Sequence, residues 1–281
     1  MSILHTYRGA KVVLPTLHSK GALAESSFKE HLDMYVEELQ LDTDQFGTFS
    51  GDIERKLSPK ESAIAKAKLG LAQSDYKYAL ASEGSIGADP TVPFINSDVE
   101  CVVFVDSVND LIISHNYRSF DITAHTHEYT QGDDLEKFLI KADFPHHQLI
   151  VKSLDSGVVA LAKGISSVSE LRNILDQVTS QGLKKIVIES DLRAHASPSR
   201  AENIRKAFEE LAIRISSRCP ECDLPGWGIT SSVRGLPCTD CGEETDAIRA
   251  YVNGCISCTF TAEGDPLATS IDPSRCSWCN P

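Results

Sequence analysis

Residues 58–87, SPKESAIAKAKLGLAQSDYKYALASEGSIG, contain a helix signal followed directly by a strand signal. Ser58 is typical of a helix N-cap, Pro59 of the first helical position and Glu61 of the third residue in a capping box. These residues predict a helix over 58–72, and YKYALASEGSIG after it predicts a strand that ends in a Gly-rich turn. The succession indicates an α/β fold.

The same alternation continues on both sides of this stretch. Apolar runs predict further strands over 11–16, 35–41, 101–106, 111–117, 147–153 and 184–190. Helix-period segments predict further helices over 22–32, 132–142, 167–182 and 197–216. Residues 1–216 are therefore predicted to form an α/β domain, with a mixed sheet flanked by helices.

The composition is that of a globular protein with room for two domains, because the chain has 281 residues, of which 41% are hydrophobic and 24% charged. Its formal net charge of −13 repels polyanions, so we expect neither a nucleic-acid partner nor adhesion to acidic membranes. The sequence shows neither the roughly 20 apolar residues that cross a bilayer nor a signal peptide. We therefore expect a cytoplasmic protein.

The cysteines concentrate at the C-terminal end of the chain. Eight of the nine form four C-x-x-C units: Cys219/Cys222, Cys238/Cys241, Cys255/Cys258 and Cys276/Cys279. Two such units supply the four thiolates of one tetrahedral zinc, and cytoplasmic cysteine pairs are more often metal ligands than disulfides. Residues 217–281 are therefore predicted to be a double zinc-ribbon-like module with two structural zinc ions, the alternative being four redox or disulfide pairs. The ninth cysteine, Cys101, lies in an apolar run and is predicted to be a core residue.

The spacing leaves the pairing of the four units open, since consecutive, nested and interleaved pairings all close loops of feasible length. Residues 238–258 look most like a self-contained ribbon, which favours the nested pairing. From Ser217 onward there are four Arg, no Lys and nine acids, a net charge of 4 − 9 = −5. Because this sign is wrong for a phosphate-binding ribbon, the module is predicted to contact a protein partner.

Polar clusters follow the predicted strands, where ligands of α/β proteins bind. Thr16, His18 and Lys20 follow the first strand and are predicted to bind a phosphate group of the substrate. Asp42 and Asp44 follow the second strand, and two carboxylates at this spacing suit Mg²⁺. The alternatives are a solvated turn for the first cluster and an Asx-capped surface loop for the second.

Two further clusters complete the candidate site. Glu83 ends the third strand beside a glycine that would let a ligand approach the backbone. Asp191, Arg193, His195 and Arg200 follow the last strand. We expect Asp191 to be a metal ligand or general base, His195 a proton-transfer group and the two arginines an anion clamp. The alternative is a structural network of ion pairs.

Four segments resemble a bacterial family of unknown function. They are DTDQFGTFSGD (42–52), ASEGSIG (81–87), SDLRAHASPSR (190–200) and CSWCNP (276–281). In that family the first three positions carry DTDxFGTFxGE-like, ASEGSFG-like and TDMRAHxNPTR-like motifs. The fourth is the end of a four-knuckle zinc module. The resemblance covers nearly the whole chain. It implies no established activity.

The N-terminal domain alone is similar to the inosine-triphosphate pyrophosphatase superfamily. The similarity rests on the order of a strand, a T-x-H-x-K turn (16–20), a helix, a strand and then KESAIAKAKLGLA (60–72) before an acid-bearing strand end. It implies Mg²⁺-dependent hydrolysis of non-standard nucleoside triphosphates. His18 stands where that superfamily has Asn, Lys20 lies one position early, and Glu83 stands where it has a pair of acids.

The residues together suggest a Mg²⁺-dependent hydrolase of a phosphorylated small molecule, such as a nucleotide. In this hypothesis the acids of the clusters supply metal and base oxygens, and the lysine and arginines neutralise phosphate charge in the transition state. The alternative is a non-enzymatic ligand-sensing or protein-interaction module with structural zinc. The two hypotheses share a small anionic ligand.

Overall fold

The computed structural model describes residues 7–17, 20–47, 56–89 and 91–281. These residues separate into two compact units, Gly9–Ala212 and a smaller unit that combines Ile213–Pro281 with Tyr7 and Arg8. The division falls after residue 212, whereas the sequence predicted it at about 216. Within the part of the chain that is described, no helix has the length and the apolar run that a bilayer crossing requires.

The larger unit alternates strands and helices, as the sequence predicts. The first elements are β1 (Lys11–Pro15), α1 (Gly21–Leu32), β2 (Tyr35–Leu39), α2 (Pro59–Ala72), β3 (Tyr78–Ala88), β4 (Asn96–Asp106) and β5 (Leu111–Ser119). The later elements are β6 (Thr126–Tyr129), α3 (Glu136–Lys141), β7 (Leu149–Ser153), β8 (Val159–Ile165), α4 (Val168–Ser180), β9 (Ile186–Ser190) and α5 (Pro198–Ser216). The α/β class is confirmed.

A five-stranded mixed sheet, in the order β2-β1-β3-β4-β5, forms the first half of this unit. β1 runs parallel to β2 and β3, with Val13 opposite Ala79. β3, β4 and β5 are antiparallel, and the pairing of Asp106 with Leu111 joins the strands predicted over 101–106 and 111–117 in a hairpin. The parallel pairs bring the ends of β1 and β2 to one edge of the sheet, where the first two polar clusters begin.

Both faces of the mixed sheet are covered. On one face, Ala63 and Ala67 of α2 pack with Val13, Val103 and other strand residues. Cys101 belongs to this cluster and is 2% exposed, which confirms it as a core residue. Burial raises the pKa of the Cys101 thiol to about 11. The small side chains of the alanines let α2 approach the strands closely.

Aromatic side chains fill the other face of the mixed sheet. Phe28 of α1 lies 6.5 Å from Phe104 of β4 and 6.3 Å from Phe208 of α5, measured between ring centroids. All three side chains are fully buried. Aromatic rings at these separations add to the hydrophobic burial, so α1, β4 and α5 form one packed layer.

A second, antiparallel sheet lies in the order β6-β9-β7-β8. Its core contains Leu149, Ile165 and Ile188 from the strands and Leu171 and Leu175 from α4. The sequence predicted β7 and β9 but neither β6 nor β8. β6 has only four residues, and the solvent-facing side of β8 is itself partly apolar, so neither shows a clear alternation of apolar and polar residues.

The helix predicted over 132–142 is shorter in the structure, where α3 covers Glu136–Lys141. Two aspartates organise the preceding residues into turns instead. Asp133 Oδ2 accepts the N–H of Thr130 at 2.8 Å, and Asp134 Oδ1 accepts the N–H of Glu136 at 3.0 Å. Asp side chains compete in this way for backbone donors, which delays the helix start.

The smaller unit contains a three-stranded antiparallel sheet formed by β10 (Gly228–Arg234), β11 (Ile248–Gly254) and β12 (Thr261–Glu263). Trp227 and Phe260 stack at 5.5 Å between ring centroids. The sheet buries few side chains: Ala250 is fully buried, but most positions of β10 face solvent. A unit with so small a core needs another source of stability.

Candidate functional site

A cleft in the larger unit gathers residues from both sheets and from three helices or their ends. Its volume is about 80 Å³, enough for several water molecules or one small anionic group. Its lining residues are Leu14, Pro15, Thr16, Lys20, Thr43, Asp44, Gly47, Lys66, Ser82, Glu83, Lys163, Arg193 and Arg200. The lining residues come together because the C-terminal ends of β1, β2 and β9 lie at the cleft.

The cleft is strongly basic. Five cationic side chains line it, against the two carboxylates of Asp44 and Glu83, a formal balance of 5 − 2 = +3. The chain as a whole carries −13. A concentration of positive charge in an acidic protein attracts anions to that one place, because field lines focus in a cleft with protein walls.

Lys20 lies in the wall of the cleft immediately before α1. Its side chain is 9% exposed, and its Nζ donates to Ser82 Oγ at 3.0 Å. Burial, together with the neighbouring charges of Arg200 and Lys66, lowers the pKa of Lys20 to about 7, although the nearby carboxylates of Glu100 and Glu83 act in the opposite direction. The amine is therefore poised to gain a proton when an anion enters the cleft.

Glu83 and Lys66 form an ion pair at the edge of the cleft. Lys66 Nζ lies 2.5 Å from Glu83 Oε2, and the two side chains are 12% and 5% exposed. α2 supplies the lysine and β3 the glutamate. The pair compensates a buried charge next to the site, since an uncompensated buried charge would be costly.

Arg193 faces the cleft and is held from behind by Asp191. Asp191 is fully buried, and its two oxygens accept Arg193 Nε at 2.9 and 3.1 Å and Arg193 Nη2 at 2.5 Å. The backbone N–H of Gly164 donates to Asp191 Oδ2 at 3.1 Å. The hydrogen bonds with Asp191 raise the pKa of Arg193, and together with the Gly164 contact they occupy both carboxylate oxygens of Asp191. In the structure Asp191 therefore holds Arg193 and lies outside the cleft, whereas the sequence predicted a metal ligand or general base.

Arg200 is the most deeply buried cation of the cleft. Its Nε donates to Glu100 Oε1 at 2.6 Å, and its Nη1 donates to the carbonyl oxygen of Leu192 at 2.6 Å. Gly84 makes room for this pair: a Cβ at that position would lie 2.4 Å from Glu100 Oε1 and 2.7 Å from Arg200 Nη2. The glycine next to Glu83 thus accommodates the ion pair, whereas the sequence suggested that it would let a ligand approach the backbone.

A second carboxyl group lies behind Glu100 on the same strand. Asp98 is fully buried and accepts Asn203 Nδ2 at 2.9 Å. Burial and the nearby Glu100 raise the pKa of Asp98 to about 7. Near neutral pH Asp98 is therefore partly protonated and offsets less of the positive charge of the cleft than an ordinary aspartate would.

The cleft brings together six of the predicted site residues: Thr16, Lys20, Asp44, Glu83, Arg193 and Arg200. Asp42, Asp191 and His195 do not line it. Asp42 is exposed, and its Oδ1 accepts the N–H of Asp44 at 3.0 Å. This hydrogen bond is typical of the Asx-capped surface loop that was the alternative to a Mg²⁺ site. His195 is also exposed, so the site geometry gives no support to its predicted role in proton transfer. His18 lies outside the described residues.

Two lysines of the cleft were not predicted from the sequence. Lys66 lies on α2 beside the buried Ala63 and Ala67. A lysine next to the apolar face of a predicted helix was the sequence feature that could have indicated its place in the cleft. Lys163 lies on β8, a strand that the sequence did not reveal. Both enter the cleft from within a helix or a strand, whereas the site residues predicted from the sequence lie at the ends of predicted strands or in the segments that follow them.

Asp143, His147 and Ser199 form a hydrogen-bonded chain that resembles a catalytic triad. His147 Nδ1 lies 2.9 Å from Asp143 Oδ2, and His147 Nε2 lies 3.0 Å from Ser199 Oγ. The N–H of Ser199 also donates to His147 Nε2 at 3.2 Å, and the N–H of Thr123 donates to Ser199 Oγ at 3.1 Å. These contacts cap the start of α5, and Ser199 does not line the cleft.

The eight C-terminal cysteines form two clusters. Within each cluster the four sulfurs lie within 4.8 Å of one another: Cys219, Cys222, Cys255 and Cys258 form one, and Cys238, Cys241, Cys276 and Cys279 form the other. The shortest separations between units range from 3.5 to 3.8 Å. A tetrahedron with zinc–sulfur bonds of about 2.3 Å has edges of about 3.8 Å, so both clusters fit structural zinc. A disulfide requires about 2.05 Å, and all eight thiols are free.

The structure corrects the predicted pairing of the four units. The first unit joins the third and the second joins the fourth, so the pairing is interleaved, whereas the sequence favoured the nested one. β10 and β11 explain the exchange, because their antiparallel pairing brings Gly228 opposite Gly254 and so brings Cys255 towards the first unit. The N–H groups of Ser257 and Cys258 point at Cys255 Sγ at 3.3 Å, an arrangement that stabilises a thiolate ligand.

Comparison with known proteins places the chain in a family without assigning an activity. The model of the family described as Domain of unknown function (DUF6671) matches residues 66–281, which are 216 of the 281 residues. The matched part includes the ASEGSIG and SDLRAHASPSR segments and all four C-x-x-C units. No curated protein matches the chain, and neither comparison returned an inosine-triphosphate pyrophosphatase. The chain therefore belongs to the uncharacterised family described as Domain of unknown function (DUF6671).

Proposed function

We propose that the larger unit binds a phosphorylated small molecule in the basic cleft and hydrolyses it with the help of Mg²⁺. The observation that carries this proposal is the gathering of five cations around a space of about 80 Å³ in a chain of net charge −13. The space suits one phosphoryl group, and the rest of the molecule extends towards solvent.

The cations have separate tasks in this proposal. Arg193, oriented by Asp191, offers planar N–H donors to phosphate oxygens, and Lys163 adds charge at the exposed side. Lys20 and Arg200 supply charge from the buried side. Because these groups are already in place, they stabilise the negative charge that develops on the phosphoryl oxygens without reorganising.

The two carboxylates of the cleft are the ligands available to a metal. Mg²⁺ is commonly held by one or two carboxylates together with waters and substrate phosphates, and Asp44 and Glu83 fit that requirement. A bound Mg²⁺ would bridge the protein to the phosphate and polarise it. Thr16, Thr43 and Ser82 provide hydroxyl groups for the remaining oxygens.

Phosphate release from a panel of nucleotides and sugar phosphates, with Mg²⁺ present, tests the proposal. Glu83→Gln removes a carboxylate from the cleft, and we expect it to reduce turnover at least tenfold. Asp42→Asn is the matched control, because Asp42 lies on the same loop as Asp44 but outside the cleft. Release by the wild type that Glu83→Gln leaves unchanged would contradict the assignment.

Binding without turnover is the outcome that favours the alternative of a ligand-sensing module. A phosphorylated compound that co-purifies with the protein and stays intact with Mg²⁺ would show this. In that case the cations of the cleft keep their role, and Asp44 and Glu83 serve only to balance charge.

For the smaller unit we propose two structural zinc ions and a protein partner. Each cluster offers four thiolates and leaves no ligand position for a substrate. Zinc binding would supply much of the folding free energy of a unit with so small a core. The net charge of −5 over residues 217–281 and the exposed Trp278 suit a basic protein surface. The use of free thiolates also favours the cytoplasm as the location.

A further inference from the structure

A groove of about 700 Å³ lies between α3, α4 and the residues that follow β6. It shares no lining residue with the basic cleft. Its volume falls in the range of about 300–1,000 Å³ that is typical of sites for small organic ligands. We call it the α3–α4 groove; its fifteen lining residues fall between Tyr129 and Asp176.

The inner surface of the α3–α4 groove is apolar. Leu171 and Leu175 of α4 form its floor and are 1% and 3% exposed. Leu139 and Phe144 form its walls and pack against the same core. At its opening, Ile140 is 71% exposed, so the apolar lining of the groove extends to the solvent. The groove therefore offers an apolar ligand continuous contact from core to surface.

The rim of the α3–α4 groove is acidic. It carries the carboxylates of Asp133, Asp134, Glu136 and Asp176 against one cation, Arg172, a balance of 1 − 4 = −3. The side chains of Glu136 and Asp176 make no hydrogen bond or ion pair with any residue that the structure describes. They are free to meet a cationic group of a ligand whose apolar part occupies the groove.

We propose that the α3–α4 groove binds an amphiphilic organic cation, a small molecule with an apolar body and an ammonium group. The apolar floor fits the body, and the rim complements the charge. A protein partner is less suitable, because fifteen lining residues fall short of the about 20–30 per side in stable protein interfaces. This site is opposite in charge to the basic cleft and does not depend on the function proposed for that cleft.

A pair of ligands with the same chain length and opposite charge tests the proposal. n-Octylammonium and octanoate are titrated into the full-length protein with methyl groups labelled for NMR. We expect octylammonium to shift the methyl signals of Leu139, Ile140 and Leu175 saturably. Octanoate is expected to bind at least tenfold more weakly, because the acidic rim repels it.

A matched pair of variants isolates the role of the rim. Glu136→Gln with Asp176→Asn removes two exposed charges without touching the core, and we expect octylammonium to bind about tenfold more weakly. Glu25→Gln with Glu30→Gln removes the same charge from α1, outside the groove, and is expected to leave binding unchanged. Equal binding of octanoate, no effect of the rim variant, or groove shifts caused by protein concentration alone would overturn the proposal. The last result would show a second copy of the chain as occupant.

Discussion

At the scale of single residues, the cleft depends on charges that are held by partners outside it. Asp191 fixes Arg193, and Glu100 fixes Arg200, although neither carboxylate lines the cleft. A buried cation that is hydrogen-bonded to a carboxylate is held in place, and its charge is compensated. A buried cation without such a partner would be energetically costly. At Gly84, the addition of a single methyl group would disturb the ion pair of Arg200 with Glu100.

We predict that Gly84→Ala destabilises the protein and that Gly87→Ala on the same strand does not. The new methyl group at position 84 would collide with Glu100 and Arg200, whereas a Cβ at position 87 meets no atom within 4 Å. Overpacking of this kind costs about 1–3 kcal/mol. Urea unfolding gives the free energies of unfolding, and equal values for the two variants would contradict the proposed packing.

Lys20 predicts a pH dependence of anion binding. Its pKa of about 7 means that the amine is protonated at pH 6 and mostly neutral at pH 8.5, so attraction of an anion falls as the pH rises. Asp98, with a pKa of about 7, ionises over the same range and acts in the same direction. Sulfate is a suitable probe because it stays a dianion throughout.

We expect sulfate, measured by calorimetry, to bind about tenfold more tightly at pH 6 than at pH 8.5, a difference of about 1.4 kcal/mol. Lys20→Met keeps the length of the buried side chain and removes its charge, so its pH dependence should be much smaller. A pH profile that Lys20→Met leaves unchanged would show that another group titrates.

At the scale of elements, the signals that are local in sequence predicted the structure best. Ser58 and Glu61 form the predicted capping box: Ser58 Oγ accepts the N–H of Glu61 at 3.3 Å, and Glu61 Oε2 accepts the N–H of Ser58 at 3.0 Å. The hairpin of β4 and β5 is local in the same sense. These elements form because neighbouring residues satisfy one another, which a sequence displays directly.

We predict that Ser58→Ala lowers the free energy of unfolding by about 1 kcal/mol, the usual contribution of an N-cap. Ser58→Asp should restore most of it, because a carboxylate oxygen can accept the same backbone N–H. Thermal and urea unfolding of the three proteins check this. A loss that Asp does not restore would place the effect elsewhere than in the cap.

What the sequence did not predict depends on contacts between distant residues. β8 pairs with β7 and brings Lys163 to the cleft, and the ion pair of Lys66 with Glu83 joins two elements across the same site. The pairing of the C-x-x-C units is another case, because four units of the same form carry no information about their partners. Only the register of β10 with β11 decides it.

At the scale of the whole molecule, the interleaved cysteine clusters are directly testable. Cys222→Ser with Cys255→Ser removes two ligands of one cluster and none of the other. We expect two zinc ions per wild-type chain and one in the variant, which should resist a chelator as strongly as in the wild type. Metal analysis after chelator treatment measures this. With nested pairing, both sites would lose a ligand, and the chelator would remove both ions.

The chain as a whole is acidic, and yet the residues that the structure describes form a basic cleft, which is the basis of the proposed function. Titration of inorganic pyrophosphate by calorimetry tests it most directly, with Arg193→Gln as the cleft variant and Arg172→Gln as a control that removes the same charge from the α3–α4 groove. We predict saturable binding of one pyrophosphate per chain, at least tenfold weaker in Arg193→Gln and within twofold of the wild type in Arg172→Gln. Absence of saturable binding, or equal weakening by the two variants, would contradict the central claim.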